Sequence, residues 1–137
     1  MDLVGFFAEL RHGMPEGGSI RNALATPLNA RDRVVVAQYL RSASVLVATS
    51  QRAGDALDIS LADVSGISIR TDGLAMWPED LAYYVETYGV AVPDDLVARA
   101  RLGAPTALSV EELMEIASMV WEAGSTSHGT SSAASGE

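Results

Sequence analysis

The stretch from Ser65 to Gly89 constrains the fold of this chain more than any other. Ile67 and Ile69 alternate with Ser68 and Arg70, the period-two pattern of a half-buried strand. Asp72-Gly73 follows, the strongest short hairpin signal in the sequence. A type I′ turn needs positive φ at both central residues, which glycine takes freely and aspartate tolerates. Leu74-Ala75-Met76-Trp77 is thus expected to fold back antiparallel on 65–71. Pro78 then stands where proline suits the first helical position, with Glu79 and Asp80 over the positive end of the helix dipole. Leu81, Tyr84, Val85 and Tyr88 share one helical face, and Gly89 supplies the left-handed stop. Trp77 at the joint reads as a core plug with its N–H on a nearby carbonyl.

The flanking chain supplies elements to pack against this unit. Leu3, Phe6, Phe7 and Leu10 recur at helical spacing, so 2–11 reads as a short amphipathic helix with His12 as a cation at its end. Gly13 to Ser19 is a glycine- and proline-rich loop, without the lysine or spacing of a phosphate loop. Residues 20–25 make one or two helical turns before Thr26-Pro27. Asn29 caps a helix over 30–42, supported by Asp32, with Val34, Val35, Ala37, Tyr39 and Leu40 as its apolar stripe. The valine-rich run 44–49 reads as a buried strand. Residues 50–64 read as a connection with one helical turn near Gln51–Leu57.

Pro93-Asp94-Asp95 opens another helix, with Leu96, Val97 and Ala100 inward, that ends before Gly103. Ser109 and Glu112 form a capping box for a last helix, with Leu113, Ile116, Ala117, Val120 and Trp121 on its core side. From Gly124 the chain turns to Ser, Thr, Gly and Ala, a composition too poor in apolar surface to order itself. The expected architecture is α+β: an antiparallel sheet of about three strands (44–49, 65–71, 74–77) against four to five helices. One domain over 1–123 and a disordered tail over 124–137 are expected.

Charge and composition bound the function. The net charge is −9, and all nine basic residues are arginines. An acidic surface disfavours nucleic acid and anionic membranes, and favours encounter with a basic protein. No apolar run approaches the roughly 18 residues that span a bilayer, and the start lacks the basic, apolar pattern of a secretory signal. A cytoplasmic location is expected. With no cysteine there is no disulfide, thiolate metal site or thiol nucleophile. The two histidines, His12 and His128, have no partner at metal-binding spacing. The acidic run Asp55, Asp58, Asp63 lacks the alternation and closing glutamate of a calcium loop. Adjacent carboxylates at Glu79-Asp80, Asp94-Asp95 and Glu111-Glu112 are accounted for as helix starts. No catalytic residue, metal ligand or cofactor is expected.

The segment Thr71-Asp-Gly-Leu-Ala-Met-Trp-Pro-Glu-Asp-Leu-Ala-Tyr-Tyr-Val-Glu-Thr-Tyr-Gly-Val-Ala-Val-Pro93 resembles a family of small actinobacterial proteins of unassigned function. Its members carry a similar T-D-G-x-x-x-W-P-x-D-L-A-Y-Y-V-E-x-Y segment followed by a proline-led helix. The resemblance extends to Phe6–Gly13 with Ser19-Ile20, and to Tyr39–Thr49, and covers most of residues 3–100. It implies no catalytic residue. In size, charge and composition the chain is also similar to immunity proteins that neutralise toxins.

The function expected from the residues is therefore a non-enzymatic acidic binding domain, immunity-like, acting on a basic toxin or effector. Its contact residues would be Asp55, Asp58, Asp63, Asp72, Glu79, Tyr83 and Glu86. A homo-oligomeric structural or accessory domain, paired with a copy of itself through an exposed sheet edge, is the alternative. A hydrolase or isomerase built on paired carboxylates is the second, and would need two facing acids of raised pKa in a deep pocket.

Overall fold

The computed structural model describes residues 1–12 and 18–120. The chain divides into two units, Met1–Ala107 and Leu108–Glu137, a division that falls inside the 1–123 span expected for one domain. The first unit runs β1 (Asp2–Leu3), a 3-10 turn (Ala8–Leu10), α1 (Ile20–Ala23), α2 (Ala30–Ser42), β2 (Ser44–Val47), β3 (Arg52–Ala53), β4 (Ser65–Gly66), β5 (Ile69–Thr71), β6 (Ala75–Pro78), α3 (Leu81–Tyr88) and α4 (Asp94–Leu102). Within the second unit a helix, α5, covers 110–120. Its capping box closes as expected: the Glu112 amide donates to Ser109 Oγ at 3.1 Å, and the Ser109 amide to Glu112 Oε1 at 2.8 Å. Leu113, Ile116, Ala117 and Val120 are its less exposed positions. Trp121 and the expected tail over 124–137 lie outside the described residues.

The class is α+β. The main sheet has the order β1-β6-β5-β2, with β5 antiparallel to both neighbours and β1 parallel to β6. A separate antiparallel pair joins β3 to β4. The sheet is thus mixed and four-stranded with an added two-stranded ladder, where three antiparallel strands were expected.

Five local expectations are corrected, each by tertiary context. Residues 2–11 are not a helix: Asp2 and Leu3 pair with Ala75 and Met76, and Gly5 turns the chain at φ 79°. Val4, Phe6 and Phe7 still reach the interior, so the apolar spacing marked burial and not helicity. The 44–49 run is an edge strand, half-buried, with a register irregularity between Val45 and Val47. The stretch 65–71 is two strands in two sheets, and the turn expected near Gln51–Leu57 is replaced by β3. Pro78 ends β6, paired with Ile69, and α3 starts three residues later.

The hairpin also closes differently. Only Gly73 has positive φ, 94°, and it stands at the first central position, as in a type II′ turn. Asp72 Oδ1 accepts the amides of Leu74 and Ala75, both at 2.9 Å, while the Thr71 hydroxyl donates to Ala75 O at 2.7 Å. The aspartate is a side-chain brace of the turn, so it needs no left-handed backbone.

The helical chemistry holds where it is local. Asn29 Oδ1 accepts the Asp32 amide at 2.8 Å at the start of α2, and Gly89 takes φ 75° after α3. Along α2 the core position is Val36, not Val34, which is exposed. Ala75 and Trp77 of β6 cluster with Val36, Ala37, Tyr39 and Leu40 of α2, with Leu81, Tyr84 and Val85 of α3, and with Leu96, Val97 and Ala100 of α4. Each large apolar side chain so enclosed contributes about 1.5–3 kcal/mol. The Trp77 indole N–H donates to Leu40 O at 3.2 Å, as its place in the sequence suggested.

Candidate functional site

The face that gathers most chemistry is built from three pieces: the outer side of α3, the β3–β4 pair, and the end of α2. Between β3 and β4 runs the loop 54–64, which carries all three aspartates of the acidic run. Gly54 begins it because no Cβ fits there: one would stand 2.7 Å from Leu61 O and 3.0 Å from Ala62 O. Backbone bonds from Asp55 N to Leu61 O (2.9 Å), Leu61 N to Asp58 O (3.0 Å) and Val64 N to Ala53 O (2.9 Å) draw the loop tight.

Asp55 is the loop's anchor. It is 4% exposed and accepts the hydroxyls of Tyr83 and Tyr88, both at 2.6 Å, and the amides of Leu57 at 2.7 Å and Asp58 at 3.1 Å. Burial alone would raise its pKa, but the two tyrosines and two amides outweigh it and hold the carboxyl below the usual aspartate range. The same bonds raise the two phenols in turn, Tyr88 strongly. Tyr83, Tyr84 and Tyr88 pack on one another, with Tyr83 edge-on to the other two rings. The Tyr84 hydroxyl receives the Ala56 amide at 2.7 Å, and burial pushes its pKa up to about 12.

Beside this anchor lies a cleft of about 380 Å³, lined by Arg41, Arg52, Val64, Ser65, Gly66, Arg70, Glu79 and Tyr83. Each arginine reaches a carboxylate: Arg41 to Glu86 (2.9 Å), Arg52 to Asp63 (2.6 Å) and Arg70 to Glu79 (2.8 Å). Arg70 is held on a second side, its Nη1 donating to Ala43 O at 2.6 Å. The bond from Arg41 holds the Glu86 carboxyl below its ordinary range.

Six of the seven expected contact residues therefore share one face. Asp55, Asp58 and Asp63 belong to the loop, Glu79 and Tyr83 line the cleft, and Glu86 holds one of the cleft arginines. Asp58 caps its own loop, accepting the Ser60 amide and hydroxyl. Asp55 is enclosed and carries no exposed surface for a partner. Asp72 stands elsewhere: its side chain is nearly inaccessible, between Tyr39 (2.6 Å) and Arg99 (2.9 Å). Burial opposes its ionisation, and the Tyr39 hydroxyl, the turn amides and Arg99 together lower its pKa. Glu79 and Asp80 are not plain helix-start acids either. Glu79 serves Arg70, and Asp80, wholly buried, takes His12 Nε2 at 2.9 and 3.0 Å on its two oxygens.

Sequence reading missed the arginines and the His12–Asp80 pair. The only sequence signal for Arg70 was its place opposite Ile69 in the alternation, and nothing marked Arg41 or Arg52, which come from other elements. Among the described residues no cluster of three or more His, Cys, Asp or Glu could hold a metal, and no helix is long and apolar enough to cross a membrane. The shifted carboxyls, Glu9, Asp32, Asp55, Asp72 and Glu86, all move down. A general acid at neutral pH needs the opposite direction. The face presents arginines, carboxylates and the Tyr83 ring side by side. No protein-family model matches the chain, and no curated protein and no solved structure does.

Proposed function

We propose that the chain is a non-enzymatic protein-binding domain working in the cytoplasm, an immunity-like inhibitor of a basic toxin or effector. Membership of the actinobacterial family is part of the same proposal. The observation that carries the reading is the tip of the loop 54–64. Ile59 is 97% exposed there, between Asp58 and Asp63, with Leu61 also exposed. A loop tied down by a buried carboxylate and cross-loop backbone bonds presents this apolar group in one shape, so little ordering entropy is lost when a partner closes over it. The acid surround and the net charge of −9 favour a partner with basic groups around an apolar hollow. Tyr83 and the arginines on the adjoining cleft are residue types that dominate binding energy in protein interfaces.

The test is affinity capture from native lysate with mass spectrometry, using wild type and Ile59→Asp. One cationic protein is expected with wild type, in amounts that fall steeply with salt. Ile59→Asp should abolish capture while leaving the unfolding midpoint unchanged. Capture that ignores both salt and the substitution rules the reading out.

A further inference from the structure

A third of the chain's arginines border one cleft in a protein of net charge −9, with a single carboxylate in the lining. We propose that this cleft binds a single oxyanion, the phosphate or carboxylate of a small molecule, between Arg41 and Arg52 beside Ser65 and Gly66. The planar guanidinium fork matches both groups, since two parallel N–H donors can meet two oxygens.

The three ion pairs are not equivalent, and the difference decides which arginines are available. Arg70 and Glu79 are only 21% and 26% exposed, and Arg70 is also fixed to Ala43 O, so this pair is part of the wall. It neutralises the carboxylate that would otherwise repel an anion. Arg41 with Glu86 and Arg52 with Asp63 are about half exposed or more on both sides. Pairs so wetted contribute little and exchange readily for a better acceptor. The two arginines come from α2 and β3, so they approach the cleft from separate elements.

Gly66 keeps the space open. A Cβ there would stand 2.6 Å from Glu79 Oε1 and 3.9 Å from Arg52 Nη1, so a side chain would intrude where these two groups approach the backbone. The volume of about 380 Å³ lies in the range of small-molecule sites, enough for an oxyanion and a small organic body. The Ser65 hydroxyl, which donates to Gly66 O at 2.8 Å, and the Tyr83 ring complete the lining. The site shares Tyr83 and the arginines with the face proposed for protein binding, but it rests on the cleft alone and not on the exposed loop tip.

The test is a heteronuclear NMR titration of the full chain at neutral pH and constant ionic strength, with inorganic phosphate in one arm, acetate in a second and chloride in a control. Saturable, one-site shifts of the Ser65 and Gly66 amides and of the Arg41 and Arg52 side-chain N–H groups are expected, with Kd of about a millimolar or tighter. Arg41→Gln and Arg52→Gln should each weaken binding about tenfold. Both side chains are largely exposed, so the remaining amide spectrum should stay in place and report an intact fold. Saturation by phosphate alone assigns phosphate esters as the ligand class, and saturation by acetate assigns carboxylates. Shifts that grow linearly in both arms, or saturate equally in both variants, overturn the proposal.

Discussion

Asp55 and Asp58 look alike in the sequence, and their environments make them opposites. Asp55 satisfies two tyrosine hydroxyls and two amides inside the protein, while Asp58 tidies an exposed loop. Asp55→Ala would orphan those buried donors and should cost about 2–4 kcal/mol in urea unfolding. Asp58→Ala should stay within about 0.5 kcal/mol, and equal losses would refute the contrast. The same carboxyls set the acid limit. Asp55 and Asp72 have pKa values lowered in the folded state, so the stability they contribute is present above the unfolded aspartate value of about 3.9 and is lost as pH falls below it. Asp55→Asn should flatten that acid limb. At the other end, burial and the Asp72 bond push Tyr39 up to about 12, and burial does the same for Tyr84. Raised phenols stabilise fully below the free tyrosine value of about 10 and less as pH climbs towards 12. Absorbance titration should therefore show all four tyrosines ionising above the free value, together with alkaline unfolding.

At the scale of elements, what could be read in advance was whatever is settled within four residues. The Asn29–Asp32 cap, the Ser109–Glu112 box, the Gly89 stop and the existence of a turn at Gly73 are of that kind. What could not be read depends on residues far apart. β1 finds β6, β3 finds β4, and His12 meets Asp80 across 68 positions. The cleft likewise collects positions 41, 52, 65, 66, 70, 79 and 83, which no spacing rule connects. Among the described residues no buried side-chain nitrogen or oxygen lacks a partner, so each such pairing is needed. His12→Ala leaves the buried Asp80 side chain without its hydrogen-bond partner and should cost about 1–3 kcal/mol. His12→Ala with Asp80→Ala should be less damaging than the sum of the two single changes, and strict additivity in denaturant melts would count against the pairing. Gly54→Ala drives a Cβ at the Leu61 carbonyl and should cost about 1–3 kcal/mol, with hydrogen exchange accelerated across the loop 54–64.

At the scale of the whole molecule, self-repulsion and the short edges of the sheet favour a chain that stays alone. The edge strands β1 and β2 have only two and four residues, and the register of β2 shifts between Val45 and Val47. Sedimentation across dilutions from micromolar to nanomolar should show the 14.4 kDa monomer throughout. A dimer persisting at nanomolar concentration would favour the accessory-domain alternative. The parallel pairing of β1 with β6 also orders events in time. Residues 2 and 3 are synthesised well before residues 75 and 76, so their places beside Ala75 and Met76 exist only after the β5–β6 hairpin has been made. Closing so large a loop is entropically slow beside forming a local turn. β1 thus docks only after β6 exists, and until then the rim of β6 stays uncovered in the nascent chain.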